Sequence, residues 1–66
     1  MDKAKFKSVM ALHGETQGRL AEALEMTQET LSRKLNGQGE FSQSEIKAIK
    51  ERYDLTPDEV DAVFLN

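Results

Sequence analysis

Residues 16–37 read TQGRLAEALEMTQETLSRKLNG and decide the fold of this 66-residue chain. The segment contains two short helical patterns, and each begins at a threonine, Thr16 or Thr27, whose side chain can cap a helix N-terminus. Apolar residues recur at helical spacing; they are Leu20, Ala21 and Leu24 in the first pattern, and Leu31 and Leu35 in the second. The spacing predicts helices over residues 17–24 and 28–35, placed almost end to end.

Helical spacing also recurs on both sides of this segment, whereas the alternating pattern of a β-strand is absent. Before it, an apolar stripe predicts a helix that Asp2 caps and Gly14 ends. After it, capping boxes that begin at Ser42 and Thr56 predict two more helices. We therefore expect one domain over residues 1–66 with an all-α, five-helix fold. The predicted helices cover residues 3–13, 17–24, 28–35, 43–53 and 57–64.

The composition limits the class of protein. The chain has no cysteine, so disulfides and thiolate metal sites are not expected. No apolar run is long enough to span a membrane and no signal-peptide pattern is visible, so we expect a soluble, cytoplasmic protein. The net charge is −3, but residues 1–37 carry +1 and residues 38–66 carry −4. A surface that binds anions should therefore lie in the first half of the chain.

The two central helices have the chemistry of a nucleic-acid reader. Helices joined by so short a turn cross at a steep angle, as in a helix-turn-helix, and Ala21 supplies the small residue that this contact needs. The outer face of the second helix carries Gln28, Glu29, Ser32 and Arg33. Glutamine can bond adenine, glutamate can accept from cytosine, and arginine can donate to guanine. Free amides beside Thr16 and Thr27 can bind phosphate oxygens.

The same segment resembles the lambda-repressor-like helix-turn-helix family of the Cro/CI type. The positions that carry the resemblance are Gln17, Leu20-Ala21, Leu24, Thr27-Gln28, Leu31 and Asn36-Gly37. The resemblance implies a phage or bacterial transcriptional regulator, of repressor type, that binds double-stranded operator DNA, usually as a homodimer. It implies base contacts from Gln28, Glu29, Ser32 and Arg33, and phosphate contacts near Gln17, Thr27 and Asn36. We add Lys34 to the expected phosphate contacts.

Two positions depart from the pattern of that family. The turn position that is usually glycine is Glu25 here, and a left-handed conformation would cost this residue on the order of 1 kcal/mol. We therefore expect either a slightly strained turn or a different one. The position three after Leu31, usually apolar, is Lys34. We expect Leu35 to take over its core role, because Leu35 lies one helical turn after Leu31.

Other kinds of site find little support in the sequence. His13 stands alone, so we expect it to cap the first helix at its C-terminus rather than to bind a metal. No nucleophile–base pair and no glycine-rich phosphate loop is visible, so we expect neither enzymatic activity nor a cofactor. The basic opening of Lys3, Lys5 and Lys7 indicates a solvated face, with a phosphate contact as the alternative.

The rival hypothesis is a protein-interaction module that acts as an antirepressor or as a modulator of another regulator. It rests on the charge of −4 over residues 38–66, which would present acidic C-terminal helices to a protein partner. The apolar stripe of Val60, Val63 and Phe64 is expected in the core, with a dimer or partner contact by Phe64-Leu65 as the alternative. A purely structural helical miniprotein would bind neither DNA nor a partner.

Overall fold

Five helices make up the fold, in a computed structural model that describes residues 1–65. They are α1 (Lys3–Leu12), α2 (Gln17–Ala23), α3 (Gln28–Leu35), α4 (Gln43–Arg52) and α5 (Pro57–Phe64). The predicted all-α fold is confirmed. The C-terminal ends of α1, α2 and α4 lie one residue earlier than predicted, because His13, Leu24 and Tyr53 are capping residues with ψ near zero. None of the described helices is long and apolar enough to cross a membrane.

Every helix begins at a side-chain cap, as the sequence predicted. The capping residues are Asp2, Thr16, Thr27, Ser42 and Thr56, and each accepts a hydrogen bond from the amide three residues later. Two of these caps are reciprocal: Glu45 accepts from the Ser42 amide at 2.8 Å, and Glu59 accepts from the Thr56 amide at 2.9 Å. A cap of this kind contributes about 1 kcal/mol, so local sequence sets where each helix starts.

The turn between α2 and α3 contains a strained residue. Glu25 has φ 57°, the left-handed conformation that glycine adopts without cost. The amide of Met26 donates to the Ala21 carbonyl at 2.9 Å, and the amide of Glu25 donates to the Glu22 carbonyl at 3.1 Å. These two bonds form a Schellman motif, which satisfies the last carbonyls of α2. Of the two expected alternatives, the strained turn is the correct one.

A cluster of buried side chains holds the helices together. Its members are Phe6, Met10, Leu20, Ala21, Leu31, Leu35, Ile49, Tyr53, Leu55 and Val63. Leu35 is only 2% exposed, which confirms its predicted core role. An aromatic group closes one end of the cluster: the Phe6 ring stacks on Phe41 and meets Phe64 edge-on, both at 5.6 Å between ring centroids. Phe64 therefore packs on the core, whereas Leu65 is 76% exposed.

Candidate nucleic-acid interface

The α2–α3 unit packs on the core through both helices, with Leu20 of α2 fully buried and Leu24 and Met26 partly buried. Ala21 in α2 is 2% exposed, and Leu31 in α3 is fully buried beside Leu35. Since α3 has 8 residues, or little more than two turns, Leu31 and Leu35 define its inward side. The opposite side of α3 is left open to solvent.

The four residues predicted to contact bases do not all lie on this outer side of α3. Gln28, Glu29 and Arg33 are exposed, and Ser32 is half-buried. At about 100° per residue they cover a continuous arc, in which Arg33 lies opposite the side marked by Leu31 and Leu35. Glu29 and Arg33 therefore lie on the outer side of α3, Ser32 lies at its edge, and Gln28 lies near the direction of Leu35, against α2.

Two of these side chains form an ion pair with each other. Arg33 Nη2 lies 2.6 Å from Glu29 Oε1, and the two side chains are 62% and 73% exposed. An exposed pair at this helical spacing contributes roughly 0.3–0.5 kcal/mol, so it is easily exchanged for contacts with a ligand. The pair neutralises the positive charge of Arg33 on this face until a ligand competes with Glu29 for the guanidinium group.

Gln28 is placed by α2 as well as by its own helix. A Cβ atom built on Gly18 would lie 3.0 Å from Gln28 Nε2, so the Gln28 side chain lies directly over the first turn of α2. The neighbouring residue in α2 is Gln17, a predicted phosphate contact. The sequence did not single out Gly18, and this approach is visible only once α2 and α3 are in place.

Three of the predicted phosphate contacts lie at helix ends. Gln17 is the first residue of α2, Thr27 caps α3, and Asn36 is the C-cap of α3. The Thr27 hydroxyl accepts from the Thr30 amide at 3.1 Å, so it already holds the start of α3. Asn36 Oδ1 accepts a hydrogen bond from Lys3 Nζ. That bond places one lysine of the basic opening at the C-terminal end of α3, a location that sequence spacing did not indicate.

Lys34, the fourth predicted phosphate contact, differs from the other three because its ammonium group is paired with a carboxylate and mostly buried. Its Nζ atom is 2.7 Å and 2.9 Å from the two carboxylate oxygens of Glu45, and only 19% of its side chain is exposed. The ammonium also lies 5.8 Å from the centre of the Phe41 ring. Burial opposes the ionisation of Glu45, but hydrogen bonds from Lys34 and Ser42 outweigh it and lower the pKa of Glu45. The charge of Lys34 is therefore compensated inside the protein.

A further ion pair holds the turn that precedes α2. Glu15, in the turn before α2, has a side chain that is 7% exposed and accepts hydrogen bonds from Arg52 at the end of α4. The hydrogen bond from Arg52 lowers the pKa of Glu15 against the opposing effect of burial. Burial and the nearby Glu15 carboxylate raise the pKa of Tyr53. The pair therefore ties the start of α2 to α4 and holds a buried carboxylate in its charged form.

The rest of the described chain offers little that resembles a metal site. No three His, Cys, Asp or Glu side chains among residues 1–65 come together in a way that could hold a metal ion. His13 is the C-cap of α1, as predicted, and its ring lies 4.9 Å from the Tyr53 ring.

A shallow groove of about 350 Å³ lies beside α3, and Phe41, Ile46, Phe64 and Leu65 form part of its lining.

Comparison with known protein families agrees with this geometry. The family described as helix-turn-helix domain matches residues 6–63, which run from α1 to α5 and include all of α2 and α3. No curated protein and no solved structure gives a significant match to the chain. The family match therefore covers the two helices and the turn on which the candidate interface is built.

Proposed function

The chain belongs to the helix-turn-helix domain family, and from that premise we propose a sequence-specific transcriptional regulator of the Cro/CI type that binds operator DNA. In a helix-turn-helix the second helix enters the major groove of the duplex. One observation carries the proposal: the outward side of α3, which carries Glu29 and Arg33, is polar and exposed, opposite the buried Leu31 and Leu35. That face is free to meet base edges while the core stays intact.

The side chains predicted to contact bases suit different bases. Gln28 can form two hydrogen bonds with adenine, Arg33 can form two with guanine, and Glu29 can accept from the amino group of cytosine. Ser32, at the side of the face, can serve either as donor or as acceptor. We propose that these four residues read the sequence, and that Arg33 exchanges its weak bond to Glu29 for a base.

Helix ends supply the expected contacts with the DNA backbone. Gln17 and Thr27 lie at the N-termini of α2 and α3, where free amides attract phosphate oxygens. Asn36 lies at the other end of α3 together with Lys3, whose ammonium adds the positive charge that a phosphate contact needs. We propose that these residues fix the position of α3 on the duplex without reading its sequence.

The proposed assembly is a two-fold homodimer on an inverted repeat. A dimer of this kind reads two half-sites about 34 Å apart, one turn of the duplex. We propose a protein of phage or bacterial origin that works in the cytoplasm and represses transcription by occupying its operator. The repressor role and the dimer rest on the Cro/CI resemblance of residues 16–37.

Selection from a pool of random DNA duplexes at low salt tests the proposal. We expect retained DNA to be enriched in one short inverted repeat, because two copies of α3 would each read a half-site. A single copy of the motif would support the reading role of α3 but not the dimer. No retained DNA would contradict the proposed function and would favour the rival, a protein partner bound to the acidic helices α4 and α5.

A further inference from the structure

Lys34 and Glu45 join the C-terminal end of α3 to the N-terminal end of α4. The two Lys34–Glu45 distances of 2.7 Å and 2.9 Å show that both carboxylate oxygens bond to one ammonium group. The stem of Lys34 packs along the chain between the helices, where a Cβ atom on Gly39 would lie 3.5 Å from Lys34 Cγ. The ring of Phe41 lies on another side. The ammonium is therefore enclosed rather than extended into solvent.

Glu45 is itself held in place by two hydrogen bonds with Ser42. Its Oε1 atom accepts from the Ser42 amide at 2.8 Å, and the Ser42 hydroxyl accepts from the Glu45 amide at 3.1 Å. The carboxylate that completes the capping box of α4 is thus the same group that binds Lys34. One side chain fixes the start of α4 and the end of α3 together.

The position of Lys34 on α3 separates it from the predicted reading face. It lies about 100° around the helix from Arg33, on the side turned toward α4. It also occupies the position three after Leu31, at which the Cro/CI pattern usually has an apolar residue. With Leu31 and Leu35 as the buried contacts of α3, the bond to Glu45 adds an attachment at the C-terminal end.

We propose that Lys34 and Glu45 act as a positioning pair, which sets the orientation of α3 in the major groove, and that Lys34 does not contact phosphate. This inference rests on the proposed function, because it assigns the pair a role in DNA reading. It replaces the expectation that Lys34 binds the DNA backbone. The specificity of the protein then depends on a glutamate that has no contact with DNA.

The two roles for Lys34 predict different effects of a change at Glu45 on the ratio of specific to random affinity. If Lys34 binds phosphate, Glu45→Gln removes a competing negative charge and should raise the affinity for both DNAs alike, so that their ratio is unchanged. If the pair positions α3, Glu45→Gln should lower the affinity for the preferred site relative to random DNA. Glutamine retains the ability to complete a capping box, so the start of α4 is preserved.

The experiment measures affinity for the selected site and for random duplex at several salt concentrations. The variants are Lys34→Met, Glu45→Gln and the double variant, with Lys47→Met as a control that removes one exposed lysine from α4. We expect each single variant to lower the ratio of the two affinities about five- to tenfold, and the double variant to lower it no further, as for residues in direct contact. Lys47→Met should leave the ratio unchanged.

The salt dependence separates positioning from phosphate contact. Loss of a phosphate contact changes the slope of log K against log salt by about 0.9. We expect Lys34→Met to leave the slope as in Lys47→Met. A slope reduced by about 0.9 relative to that control, or an unchanged ratio of the two affinities in Glu45→Gln, would overturn the proposal.

Thermal unfolding distinguishes failure of this inference from failure of the proposed function. If the unsubstituted chain shows no sequence preference, the proposed function fails, and so does the reading role of the pair. The contact itself is still tested without DNA. The Tm change of the double variant should then differ from the sum of the changes in the two single variants. Additive changes in Tm would show that Lys34 and Glu45 do not act together.

Discussion

Gly18 in α2 and Gln28 in α3 approach so closely that a Cβ atom on Gly18 would lie 3.0 Å from Gln28 Nε2. The glycine therefore leaves room for a side chain that we propose to contact a base. The atom in the way is the far end of a flexible side chain, so it can move at little cost to folding.

Gly18→Ala should separate stability from DNA reading. Alanine is favoured over glycine within a helix by roughly 0.5–1 kcal/mol, so we expect the Tm to rise. The displaced Gln28 amide should lose its base contact, and discrimination at one base pair in each half-site of the selected site should fall. The measurements are thermal unfolding and a binding competition between the selected DNA site and its single base-pair variants. In a Gln28→Ala background, the Gly18→Ala change should no longer alter discrimination; an equal effect there would contradict the assignment.

Glu25→Gly should stabilise the protein. The left-handed conformation of Glu25 is unfavourable for a residue with a Cβ atom, and glycine relieves it at the expense of a more flexible unfolded chain. The expected net gain is about 0.5–1 kcal/mol, seen as a Tm higher by several degrees. The control is Glu22→Gly, an exposed position within α2, which should destabilise by about 1 kcal/mol. A lower Tm for both variants would show that the turn is not strained.

Stability should fall in acid partly because of Glu15. Its bond to Arg52 lowers the pKa of Glu15 below the ordinary value of 4.5. A carboxyl whose pKa is lower in the folded state stabilises the fold fully above its unfolded pKa, and this contribution is lost as pH falls through the folded pKa. The stability difference between the unsubstituted chain and Glu15→Gln should therefore shrink as pH falls from 6 to below 4.5. Chemical unfolding at each pH measures it, and a difference independent of pH would rule out the ion pair.

The helices were predictable because their signals are local. Capping residues such as Ser42 and Thr56 act on amides three residues away, so their pattern is visible in the sequence. The core role of Leu35 was also predictable, because it follows from the lysine at the preceding position, whereas the sequence left open whether the turn at Glu25 is strained or different.

Contacts between helices could not be predicted in the same way. The bond from Lys3 to Asn36 joins residues 33 positions apart, and it depends on how α1 lies against α3. Phe41 packs on Phe6 from a loop, where no periodicity marks a buried residue. Lys34 was expected at phosphate because its charge is visible in the sequence, whereas its partner Glu45 appears only once α3 and α4 are in place. The sequence thus predicted which residues form the candidate interface, but it did not predict the contacts that position them.

The ability of the Arg33→Ala variant to distinguish between DNA sequences tests most directly whether the outward face of α3 reads DNA. The measurement compares affinities for the selected site and for each of its single base-pair variants, with Lys47→Met as a control for lost charge. We predict that Arg33→Ala weakens binding to the selected site by about 1–3 kcal/mol and loses the preference for guanine at one position in each half-site. If Arg33→Ala keeps every base preference and changes only overall affinity, as the control does, α3 does not read DNA through Arg33.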